Sequence, residues 1–235
     1  MPKALLPGGT ALEYETFGEP ADPAILLIAG FGAQMISWDS GFCEGLARRG
    51  RFVVRFDNRD TGLSTKFEQH PVDLHDLIGA ASIGDLETVR SLAAYRLADL
   101  ADDGAGLARA LGLDQVHVVG ASMGGMVAQL VAIRHPELVT TLTSMMSSTG
   151  SPDVGQSTPE AFAALMKPMA PDRGGYVADS VASSRVWASK RYFDESSASA
   201  LAAASYDRGL CSQGTTRQLA ALLASLSPGD AVLTS

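Results

Sequence analysis

The stretch VHVVGASMGGMVAQLVA, residues 116–132, constrains the fold more than any other part of the chain. A β-branched apolar run leads into Gly-Ala-Ser-Met-Gly, and a second apolar run with helical spacing follows. The side-chain period changes across one corner, which predicts a strand, a tight turn and a helix, with Ser122 at the turn. The G-x-S-x-G spacing has a steric reason. A residue on so sharp a bend needs small neighbours, because strand and helix approach each other closely. The helix that starts there aims free N–H groups and a positive dipole end at any oxyanion that forms. Ser122 is therefore the candidate nucleophile, and the backbone N–H of Met123 a candidate oxyanion donor.

The rest of the chain repeats the strand-then-helix rhythm. Strands are expected at residues 10–18, 23–30, 51–57, 115–120 and 138–146, and helices at 42–49, 94–111 and 122–134. The run PAILLIAG is apolar throughout, as a strand covered on both faces must be. Residues 66–93 carry Pro71, Gly79 and Gly84 and read as loop with short helical pieces. After residue 149 a stretch rich in proline, glycine and serine gives way to helical patterns at 176–190, 196–206 and 215–226. No strand is expected after Met146. The alternation predicts an α/β fold with a mostly parallel sheet flanked by helices over residues 1–150, and a helical cap with a divergent tail over residues 151–235.

Composition narrows the function classes. A net charge of −8 disfavours nucleic acid as a partner. No run approaches the length of a membrane span, and the N-terminus has no secretory pattern, so a cytoplasmic location and no membrane partner are expected. Cys43 and Cys211 are far apart and form no Cys-x-x-Cys pair, so two buried or half-buried free thiols are expected, with no metal and no cofactor.

A tetrahedral oxyanion needs a second donor, and the loop after the 23–30 strand can supply one. That loop begins Gly30-Phe31-Gly32, and the N–H of Phe31 is the candidate. Taken together, LLIAGFGAQMISWD, VVRFDNRDTGLST and VVGASMGGMVAQLVAIRHPELV resemble the α/β-hydrolase superfamily, in particular serine esterases of the aclacinomycin methylesterase type. The resemblance implies a small-molecule ester substrate, an acyl-enzyme on Ser122, and a helical cap. It also implies that Asp57 and Arg59 brace a loop rather than do chemistry. Ala29-Gly30 stands where such relatives often have His-Gly, a change that leaves the backbone donors in place.

A serine hydroxyl needs a base, and the family order of the triad is nucleophile, acid, histidine. The only histidine after Ser122 is His135, with no Asp or Glu between them. The helix from Ser122 to His135 would hold the two about 20 Å apart. His117 lies about 16 Å upstream along a strand. His70 and His75 sit in the ambiguous 66–93 region. The resemblance implies that the acid and histidine belong to strand–helix units beyond the cap, so a C-terminally truncated core is expected, with sequence from Ser225 onward unlike the family. The last strand of the core would then be a sheet edge, prone to self-association. Two readings stay open: an ester hydrolase impaired for want of a histidine, and a non-catalytic remnant or binding module. Peroxide-dependent acyl transfer and amide cleavage use the same fold.

Overall fold

A computed structural model describes residues 2–151, 155 and 157–225. The chain divides into two compact units, Met1–Gly155 with Cys211–Ser235, and Gln156–Leu210. The first contains a six-stranded sheet: β1 (Lys3–Leu5), β2 (Ala11–Phe17), β3 (Ala24–Ile28), β4 (Phe52–Phe56), β5 (Val116–Ala121) and β6 (Val139–Met145). The strands lie in the order β1-β2-β4-β3-β5-β6. The β1–β2 and β2–β4 pairs are antiparallel, and the β4–β3, β3–β5 and β5–β6 pairs are parallel. This is the mostly parallel sheet expected from the alternation. The three-residue β1 is too short to show a period in the sequence.

The central strand explains the apolar runs. All five residues of β3 are buried, and they alternate between two cores. Ala24, Leu26 and Ile28 join a core with Leu97, Leu100, Val127 and Val131, which belong to α4 (Leu97–Ala110) and α5 (Met123–Arg134). Ile25 and Leu27 pack on the opposite face with Trp38, Val53 and Cys43 of α1 (Ser40–Ala47). Residues with a period of two thus serve two helical layers, which is why no polar position interrupts the run. β6 differs: five of its seven residues are exposed, and among the described residues it pairs only with β5.

The ambiguous 66–93 region folds as α2 (Leu74–Ser82) and α3 (Leu86–Leu92), each started by an aspartate whose carboxylate accepts backbone N–H bonds, Asp73 and Asp85. The second unit is helical: α6 (Pro159–Met166), α7 (Arg173–Trp187) and α8 (Glu195–Arg208). The proline-rich stretch contains a helix that its composition does not predict: Pro159 starts α6, since its fixed φ suits a first turn that needs no N–H.

The division expected at residue 150 needs a correction. Residues 151–235 do not form one segment, because α9 (Ser212–Ser225) groups with the sheet-containing unit. Its Ala221 lies in the same core as Leu26 and Leu97. Of the divergent tail expected from Ser225 onward, residues 226–235 lie outside the described residues.

Candidate active site

Ser122 sits where β5 ends and α5 begins, with φ +55° and ψ −125°. A side-chain-bearing residue pays strain to adopt such a backbone, so the surroundings must enforce it. The enforcement is visible in its neighbours. The Ser122 N–H donates to the Met145 carbonyl at 2.9 Å, and the Ser122 carbonyl accepts from the Gly125 N–H at 2.9 Å. A Cβ on Gly120 would stand 2.0 Å from the Gly124 carbonyl oxygen, and one on Gly124 would stand 2.2 Å from that of Ile28. Both glycines of the pentapeptide are therefore fixed by backbone contact, as its spacing predicts.

The loop after β3 passes beside the serine. A Cβ on Gly30 would lie 3.3 Å from Ser122 Cβ and 3.8 Å from its Oγ. The half-buried hydroxyl has no hydrogen-bond partner among the described residues, and no described acceptor takes the N–H of Phe31 or Met123. The Phe31 side chain packs on the main core.

Asp57 and Arg59 sit where a brace is needed. Asp57 is fully buried; its carboxylate accepts the Met35 N–H at 2.7 Å and the Leu63 N–H at 2.9 Å. Asn58 donates to the Ala29 carbonyl at 3.1 Å. The turn after β4 thereby holds the loop that runs past Ser122. Arg59 makes a two-pronged pair with Asp103 of α4, at 2.6 and 2.8 Å, and its guanidinium lies over the rings of Phe67 and Tyr95. Burial pushes the Asp103 carboxyl above its ordinary range, against the opposing pull of Arg59.

No histidine side chain hydrogen-bonds to Ser122. His135 closes α5, with Nε2 2.8 Å from Asp102 and Nδ1 3.2 Å from Arg109. The helix between them, α5, puts it about 20 Å from Ser122. His117 Nδ1 lies 2.8 Å from the Thr141 hydroxyl, and His70 and His75 are exposed. A cavity of about 500 Å³ is lined by His135, Arg109, Asp99 and Asp102, and Ser122 is not among its walls.

Three buried residues of the site's surroundings escaped the sequence reading: Asp60, Arg217 and Gln218. Arg217 and Gln218 of α9 look like a polar face in sequence, yet each is 1% exposed. The signal was their adjacency, two polar residues directly before the apolar run LAALLA. Among the described residues no helix is long and apolar enough to cross a membrane. Both cysteines are free, Cys43 buried and Cys211 half-buried.

The chain is 36% identical over 134 residues to rhodomycin D methylesterase DauP of Streptomyces sp. (strain C5), and 35% identical over the same length to DnrP of Streptomyces peucetius. Each match covers 56% of this chain and 37% of the relative, so the chain spans well under half the length of these relatives. Among solved structures, the enol-lactonase from Burkholderia xenovorans LB400 superposes with a TM-score of 0.63 at 23% identity, covering 94% of this chain and 72% of that one. The meta-cleavage product hydrolase of Pseudomonas fluorescens IP01 gives a TM-score of 0.68 at 18% identity, covering 100% and 73%. These two likenesses show the fold. Residues 23–203 match the family model described as alpha/beta hydrolase fold, and the chain belongs to that family.

Proposed function

We propose that Ser122 is the nucleophile of a carboxylic-ester hydrolase, with the N–H groups of Phe31 and Met123 as its oxyanion donors. The observation that carries this reading is the strained backbone of Ser122, with Gly30 beside its hydroxyl. Strain of this kind persists only where the fold over-determines it, and here it holds at a helix N-terminus a hydroxyl that has no partner among the described residues. In the reaction, Ser122 Oγ attacks the ester carbonyl and the oxyanion is held by the two amides. The alcohol leaves and water releases the acid from the acyl-enzyme. A small or methyl ester is the proposed substrate, the class named for the Streptomyces relatives. The helical unit is assigned the role of a cap from its chain position between β6 and α9.

We further propose that this 235-residue chain turns over slowly. None of its four histidines bonds to the serine, so solvent must take the proton, and loss of a positioned base costs several powers of ten. The same observation favours the second reading, a non-catalytic module that keeps the elbow. Turnover of p-nitrophenyl butyrate by the chain and by Ser122→Ala separates the two: a low rate that falls further in the variant supports the hydrolase, and equal rates favour the module. The exposed β6 supports self-association through its edge as a further part of the proposal. Size-exclusion chromatography checks it, and a monodisperse monomer at high concentration counts against it.

A further inference from the structure

We propose that Gln218 is a positioning residue for the oxyanion loop, fixing the turn that presents the Phe31 N–H. The inference rests on the reading of Ser122 and Phe31 given above. The Ala33 N–H donates to the Gly30 carbonyl at 3.2 Å, closing a turn over Gly30, Phe31, Gly32 and Ala33. Gly32 has φ +65°, the positive value that the third position of a type II turn requires. The candidate Phe31 N–H shares a peptide plane with the Gly30 carbonyl, so the turn bond orients it. The next plane, between Phe31 and Gly32, separates type II from type I turns by a flip of the peptide. Gln218 controls that plane, because its Oε1 accepts the Gly32 N–H at 2.9 Å. A flip would set the Phe31 carbonyl oxygen against the Gln218 oxygen.

The amide of Gln218 cannot swing round to accommodate a flip. Its Nε2 donates to the Arg59 carbonyl at 2.9 Å and to the Thr61 hydroxyl at 2.7 Å. The Arg59 carbonyl only accepts and the Gly32 N–H only donates, so one amide orientation satisfies both. α9 is itself anchored at three places. Arg217 pairs with Asp60, the Arg96 guanidinium donates to the Ala224 carbonyl at 3.0 Å, and the Leu97 N–H donates to the Ser225 hydroxyl at 3.2 Å. Gln218 thus ties the oxyanion loop to the turn after β4 through a rigid helix. Two other tethers of the loop, from Asp57 and Asn58, act on Met35 and Ala29, towards its two ends, whereas Gln218 bonds the Phe31–Gly32 peptide itself.

The test compares the full chain with Gln218→Leu and Gln218→Glu. Glutamate keeps an acceptor for the Gly32 N–H and loses the two donors, so it restores the loop contact while burying a charge. Three quantities are read: the single-turnover rate of Ser122 phosphonylation by a p-nitrophenyl alkylphosphonate, hydrogen exchange over residues 30–33, and stability in urea. Gln218→Leu is expected to slow phosphonylation about tenfold or more, as a misplaced oxyanion donor should. Gln218→Glu is expected to react within about threefold of the parent although it is no more stable than Gln218→Leu. Equal slowing in both variants, or a parental rate in Gln218→Leu, overturns the proposal. If the parent chain is not labelled on Ser122, the hydrolase reading falls, and exchange alone decides for Gln218. Faster exchange over residues 30–33 in Gln218→Leu and parental exchange in Gln218→Glu support it; the same exchange in all three proteins overturns it.

Discussion

Arg217 and Asp60, 157 positions apart in the chain, face each other as a two-pronged ion pair with 1% or less of either side chain exposed. Asp60 also accepts from the Tyr95 hydroxyl at 2.8 Å and from the Phe67 N–H at 2.9 Å. The pair fastens α9 to the turn after β4, next to Gln218 and its contact with the loop after β3. A buried charge is tolerated only when its hydrogen bonds are satisfied, and here four donors converge on one carboxylate.

Arg217→Met should therefore destabilise the protein by about 3–5 kcal/mol in urea unfolding, because Asp60 stays buried without its countercharge. The double variant Asp60→Asn with Arg217→Met should lose less than the sum of the two single losses. A cost under about 1 kcal/mol for Arg217→Met would show that the pair contributes little.

Gly124→Ala places a methyl group 2.2 Å from the Ile28 carbonyl oxygen and 2.6 Å from that of Ala29. Backbone must move on one side of the elbow, at a cost of about 2–4 kcal/mol. Gly79→Ala is the control, since a Cβ there meets nothing within 4 Å inside α2. It should stabilise by about 0.5–1 kcal/mol. Thermal melts of the two variants in parallel check the contrast, which fails if both shift in the same direction.

The two thiols should differ in reactivity. Burial pushes the Cys43 thiol up to about 11, so near pH 8 it remains protonated as well as enclosed. Titration of the native protein with Ellman's reagent should count one fast thiol, that of the half-buried Cys211, and two in urea. Two fast native thiols would contradict the packing of α1 on the sheet.

Asp102, in the middle of α4, links that helix to the C-terminal end of α5. Its hydrogen bond from Arg134, aided by one from His135, holds its carboxyl below the usual carboxylate range. A depressed folded-state value contributes stability that is complete above the unfolded value, near 3.9, and lost as pH falls through the folded one. Asp102→Asn should cost under about 1 kcal/mol at pH 7, because Asp102 and Arg134 are each over 40% exposed. The difference between variant and parent should shrink as pH falls through the acid range below the unfolded value, measured by urea unfolding across that range. A difference that grows toward acid pH would reverse the sign of the linkage.

The strand–turn–helix corner at Ser122 was legible in the sequence because its constraint is local. A change of side-chain period around Gly-Ala-Ser-Met-Gly specifies strand, bend and helix within a dozen residues, and the backbone at Ser122 has the strain that such a bend carries. The double core of β3 was legible for the same reason. The burial of Arg217 and Gln218 was not legible, nor was the return of α9 to the sheet-containing unit. A helical period says that a segment has two faces, and leaves open which layer each face meets.

The sequence by itself determined the order of β2 to β6 with α1, α4 and α5 between and after them, the position of Ser122 between β5 and α5, and the absence of an acid between that serine and the only histidine after it. Only the tertiary structure decided that Asp57, Asn58 and Gln218 converge on one loop, from positions up to 186 residues away from it. Turns and periods are set by neighbours in the chain. The partners of a buried polar group are set by packing, which brings together residues whose separation in sequence carries no signal of their contact.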